Sequence, residues 1–199
     1  MKLQNLASIV VALAMLGACR SSWYPHRFVP APLEVSLDSP RVEGAKGRAL
    51  VTVLGIRRED LAKRRPAQVE IRMRVENSGE RALAVQPESF RLVSATLEDF
   101  GAPYVVGLPA QPLAKDQFAV FEVQFALPDG KEPNDLGLAG LNLKWEVDFE
   151  GERVGTGITF ERRNEPYPYA WYHDPFYGPY GDPWYVHSHV TVIGHGHED

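Results

Sequence analysis

The chain has 199 residues, a formal charge of −5 and a single cysteine. A net-acidic chain lacks the basic face that nucleic acid demands, so no nucleic-acid partner is expected. One cysteine excludes an internal disulfide, thiol catalysis elsewhere in the chain and multi-thiolate zinc sites, so the fold must stand on its apolar core.

The chain opens MKLQNLASIVVALAMLGAC. Lys2 and the free amine give a short positive start, and Leu6 to Leu16 is apolar apart from Ser8. That run suits a signal-peptide core and falls short of the ~20 residues that span a bilayer. Small Gly17 and Ala18 then precede Cys19. Leu16-Gly17-Ala18-Cys19 resembles the lipobox of bacterial lipoproteins. The resemblance implies that residues 1–18 are a signal peptide and that the Cys19 thiol receives a diacylglycerol. It also implies cleavage just before Cys19 and acylation of the new amine. It accounts for an odd thiol in an exported chain, and several acyl chains hold a protein far more firmly than the marginal grip of one. The membrane is then a partner through the lipid, in the cell envelope. Arg20 stands where an Asp would favour the inner membrane in the enteric pattern, so the outer membrane, facing the periplasm, is expected.

Residues 19–32 read as a lipidated tether, because RSSWYPHRFVPAP carries three prolines and no apolar period. Trp23, Tyr24 and Phe28 are expected to pack on the domain or stay loose rather than dip into the lipid interface.

From 33 to 163 the period is two. Val69, Ile71, Met73 and Val75 alternate with Glu70, Arg72, Arg74 and Glu76. Ala119, Phe121, Val123 and Phe125 form a second row, Leu141 to Phe149 a third, and Val154, Thr156, Ile158 and Phe160 a fourth. Successive strand side chains face opposite ways, so each row has a buried and a wet face, as in antiparallel sheets packed on one side. Further strands are expected at 33–38, 48–56, 81–86, 89–96 and 103–107. Turns are expected at Asn77-Ser78-Gly79, Pro128-Asp129-Gly130 and Glu150-Gly151, the last closing a hairpin. Seven or eight short strands predict an all-β, immunoglobulin-like antiparallel β-sandwich, with Met73, Phe121, Trp145 and Phe149 inside. The stretch around Asn77, Gly79, Phe90, Leu92 and Tyr104 resembles exported bacterial immunoglobulin-like domains that follow lipoprotein signals. That resemblance implies a sandwich and carries over no catalytic residue.

The segment Glu59 to Arg65 is charged and stopped by Pro66, and reads as a solvated loop or one helical turn. With Arg57 and Arg58, its Lys63-Arg64-Arg65 forms a local basic cluster. Such a cluster is able to meet lipid phosphate or lipopolysaccharide, although a solvated loop face is the expected role.

From Asn164 the composition changes. Residues 164–199 hold six of the 8 tyrosines and five of the 6 histidines, and no Lys or Arg. Asp174-Pro175-Phe176-Tyr177 recurs as Asp182-Pro183-Trp184-Tyr185, which predicts two aromatic turns in a flexible aromatic, Pro- and His-rich tail. His187 and His189 share a spacing of two, as do His195 and His197, so each pair projects from one face of an extended chain. Imidazoles so placed suit Zn or Cu, and these four are the candidate metal ligands.

No nucleophile elbow or P-loop occurs, and Gly155-Thr156-Gly157 lacks the third glycine of a dinucleotide fingerprint. Paired acids such as Glu98-Asp99 and Asp148 with Glu150 are of the kind that hydrolyse glycosides, but on strands such acids usually form the solvated face. No catalytic residue is assigned and no enzyme is expected. The leading reading is a membrane-anchored binding or scaffolding module with an envelope protein or glycan as partner. The other readings are a metal-binding or delivery lipoprotein using the tail, and a hydrolase with dispersed carboxylates.

Overall fold

The structure is a computed structural model and describes residues 22–128 and 130–163. The signal segment, Cys19, Arg20 and the tail of 164–199 lie outside the described residues.

Antiparallel strands build two facing sheets. Their bounds are β1 (Arg27–Val29), β2 (Leu33–Ser36), β3 (Gly47–Arg57), β4 (Gln68–Asn77) and β5 (Leu83–Val85). They continue with β6 (Arg91–Ser94), β7 (Tyr104–Val106), β8 (Phe118–Ala126), β9 (Gly140–Phe149) and β10 (Glu152–Arg163). One sheet runs β2-β3-β4-β8-β7, and the other runs β1-β10-β9 with β5 and β6 both on the outer side of β9. The fold is an all-β antiparallel sandwich.

The alternating rows explain why these segments are strands. In β4, Val69, Ile71, Met73 and Val75 are buried, while Arg72, Arg74 and Glu76 are only partly covered. The same alternation governs β8 and β9. Met73, Phe121, Trp145 and Phe149 lie in the core, none more than 2 % exposed. Phe90 ties the sheets together. Its ring stacks on Trp145 of β9 at 6.4 Å and meets Phe121 of β8 edge-on at 6.3 Å.

The β9–β10 hairpin closes at Glu150-Gly151, with Phe149 opposite Glu152. Both turn residues have positive φ, 55° and 104°, as the type I′ turn requires. The glycine bears this backbone freely and Glu150 is held by Arg81, whose Nη1 lies 2.8 Å from its carboxylate.

β5 and β6 are one strand path interrupted by a 3-10 turn at Pro87–Ser89. Pro87 has no N–H to give a ladder. Ser89 repairs the gap, its Oγ accepting from Glu146 N at 2.8 Å.

Two features differ from the reading of the sequence alone. The sandwich does not begin at residue 33. Arg27–Val29 pair with β10, and Phe28 is 1 % exposed in the core, so most of the expected tether is woven into the fold. The second difference is a bulge in β3, where the register shifts between Val53 and Gly55. Gly55 has φ 134°, and a Cβ there would stand 3.3 Å from the Trp23 ring. Residues 60–65 form a tight turn in which the backbones of Asp60 and Arg65 bond each other at 2.9 and 3.0 Å, and no helix.

Candidate functional site

The antiparallel register gathers one end of the sandwich from distant parts of the chain. β1 starts there, β3 ends and β4 begins there, β8 ends and β9 begins there, and β10 ends there at Arg163. The N-terminal segment therefore enters, and the C-terminal segment leaves, at the same pole.

A cleft of about 540 Å³ opens at this pole. Ser22 and Tyr24 line it on one side, Arg57, Arg58 and Arg65 on another, and Glu132 from the β8–β9 connection closes it. The chain enters across the bulge. Trp23 pairs with Arg57 as an isolated bridge, Arg58 N donates to Ser22 O at 2.8 Å, and Tyr24 N donates to Ile56 O at 2.8 Å.

Charged and aromatic groups interleave. The Arg57 guanidinium sits 4.9 Å from the Trp23 ring, and Arg58 sits 4.1 Å from the Tyr24 ring. Such cation–π contacts fix long side chains that would otherwise roam. Arg57 also holds Glu70, with Nε 2.6 Å from Oε1 and Nη2 donating to Oε2 at 2.8 Å. Glu70 is 1 % exposed and takes a further bond from Gln68 at 2.6 Å, so its buried charge is matched by Arg57. The Tyr24 hydroxyl donates to Glu132 at 3.0 Å. Burial, and then the bond to the Glu132 carboxylate, push the Tyr24 phenol above its ordinary value. His26 lies behind, stacked on Tyr24 at 6.2 Å and 5 % exposed. Burial, followed by the nearby Arg162 cation, lowers its pKa, so the ring is neutral at pH 7.

A neighbouring recess on the same pole is lined by Thr96, Asn134, Gly137 and Arg162. Gly137 has φ 52°, and a Cβ there would strike the Thr96 side chain, so the floor admits only glycine.

Of the basic residues that the sequence singled out, Arg57, Arg58, Lys63 and Arg65 line one cleft, whereas Arg64 is not among its lining residues. Tyr24 was expected only to pack on the domain or stay loose, and its pairing with Glu132 had no signal, because 108 residues separate the two. The candidate acids do not converge. Glu98 pairs with Lys131 at 2.8 Å, and Asp99 accepts from Gly101 N at 2.7 Å. Asp148 caps Gly151 N at 2.8 Å at the opposite pole, and Glu150 binds Arg81 there. The Arg81 bond, then that from Ala82 N, lowers the Glu150 pKa. Asn77, Gly79, Phe90 and Leu92 are buried, whereas Tyr104 is exposed on the β7 edge. Cys19, the proposed lipidation site, and His187, His189, His195 and His197 lie outside the described residues. Among the described residues no cluster of His, Cys, Asp and Glu is arranged to hold a metal ion. No family model and no curated protein matches the chain.

Proposed function

We propose that the chain is a lipid-anchored envelope protein whose immunoglobulin-like sandwich serves as a non-enzymatic binding or scaffolding module. The anchor is Cys19, the membrane is the outer membrane facing the periplasm, and the partner is an envelope protein or glycan. The observation that carries the reading is the ordered run of positive start, apolar core, small residues and cysteine that ends at Cys19. The fold is consistent with it, since the sandwich takes up the chain at Ser22, three residues beyond Cys19, and leaves no long spacer. The non-enzymatic part is supported by the acids, each of which caps a turn or pairs with a cation in the structure.

Cell fractionation tests the reading. The wild type is expected in the membrane fraction, and Cys19→Ser in the soluble envelope fraction or as the uncut precursor. A soluble wild type with Met1 intact overturns the anchor. Turnover of an envelope glycan or peptide by purified protein overturns the module.

A further inference from the structure

The cleft at the pole combines four properties that solvated loop faces rarely combine. Arg58, Arg64 and Arg65 make no ion pair among the described residues. The acids nearby are largely engaged. Asp60 lies 3.7 Å from Lys63 Nζ and accepts from Lys63 N at 3.1 Å. Glu132 accepts from Tyr24, and Glu70 is held by Arg57. Glu59 remains exposed on the same loop and opposes part of the positive field. Leu61 caps the turn with 80 % of its surface in solvent, flanked by Lys63, Arg64 and Arg65. An apolar tip followed by three cations suits the boundary between acyl chains and headgroups.

The fourth property is position. Ser22 lines the cleft, and Cys19 is three residues away. Extended chain spans at most about 3.6 Å per residue, so lipid on Cys19 is held within roughly 11 Å of the cleft lip. The polar layer of one leaflet is about 5–8 Å deep. The cleft therefore cannot rise clear of the headgroups for long, and the attraction operates within about one Debye length.

The geometry points to a phospholipid-headgroup site in this cleft: Arg58 and Arg65 hold an anionic phosphate while Leu61 dips into the interface, fixing the sandwich pole-down on the membrane. The inference rests on the Cys19 anchor for its orientation. Planar guanidinium groups suit phosphate oxygens because they present paired donors. The chain as a whole is acidic, −5 in all, so an anionic surface favours the pose that turns the basic cleft toward it. A fixed pose leaves the opposite pole and both sheet faces open to a partner.

The test uses the full chain carrying Cys19→Ser, so that headgroup binding is read without the anchor. It is mixed with phosphatidylcholine vesicles made with and without phosphatidylglycerol, and flotation is measured. The chain is expected to float with the anionic vesicles and to lose roughly thirtyfold in affinity in R58Q/R65Q, the weight of two basic side chains at such a surface. R58K/R65K keeps the charge but not the paired donors and is expected to bind between the parent and R58Q/R65Q, which separates charge from folding. Raised salt is expected to release the chain. Equal flotation with both vesicle types, or R58Q/R65Q binding like the parent, overturns the site. Binding of inorganic phosphate at millimolar levels without vesicle binding also overturns it, in favour of a free-phosphate site. Membrane fractionation of the wild type against Cys19→Ser reports on the anchor separately, so either failure is recognised for what it is.

Discussion

Asn77 locks Leu113 across the sandwich. Its Nδ2 donates to the Leu113 carbonyl at 2.8 Å and to the Arg81 carbonyl at 2.7 Å, while its Oδ1 accepts from Gly79 N at 3.0 Å. The side chain is fully buried at the end of β4 and uses its amide as donor and acceptor at once. No other side chain of that size offers both functions in this geometry.

Asn77→Ala strands the Gly79 N–H and the Arg81 carbonyl and leaves Leu113 O with Leu83 N as its donor, so it should cost about 2–4 kcal/mol in urea unfolding. Asn77→Asp keeps the shape but removes the donor and should fare little better at pH 7. A loss below about 1 kcal/mol for Asn77→Ala would show that water replaces the amide and that the lock is not structural.

Trp145→Ala should cost about 3–5 kcal/mol, the range for deleting a large core aromatic. The ring stacks on Phe90, and its Nε1 has no hydrogen-bond partner among the described residues. Trp145→Phe, which removes that buried donor, should therefore cost much less than Trp145→Ala. Equal losses in thermal melts would contradict this.

Much of the sandwich is legible in the sequence because its long strands alternate. Rows such as Val69 to Val75 and Leu141 to Phe149 report their own buried faces, and Glu150-Gly151 reports its own turn. Phe28 was expected to pack on the domain or stay loose, and it packs, but its place in a strand is not legible. It sits in a three-residue strand between prolines, too short for any period, and only the edge of β10 gives it a partner. The Gly55 bulge is hidden for a related reason, since the glycine accommodates Trp23 from a segment that looked like a tether. The basic half of the cleft is local in sequence and was visible as a cluster. Its other half, Tyr24 and Glu132, is brought in by topology alone.

Arg57 and Glu70 should respond unequally to substitution. Glu70 is 1 % exposed, whereas one third of the Arg57 side chain is in solvent. Arg57→Gln leaves a buried carboxylate without its cation and should cost about 2–3 kcal/mol. Glu70→Gln leaves a cation that can turn to water and should cost about 1 kcal/mol. Equal losses in chemical denaturation would mean that the carboxylate is reached by solvent.

His26 gives the fold an acid limit. Its folded pKa lies below the ordinary 6.5, through burial first and the Arg162 charge second. The unfolded chain thus binds the proton more readily, and stability falls as pH drops below about 6.5 until the folded ring itself protonates. In His26→Phe this part of the decline should vanish, with little change at pH 8. An identical pH profile in wild type and His26→Phe melts would remove His26 from the account.

The central claim is a sandwich held to the membrane by lipid on Cys19. Mass spectrometry of the N-terminal peptide, taken from protein purified out of the membrane fraction, tests it most directly. The peptide is expected to begin at Cys19 and to carry a diacylglyceryl group on sulfur and an acyl group on nitrogen. A peptide that begins at Met1, or an unmodified Cys19, would contradict it.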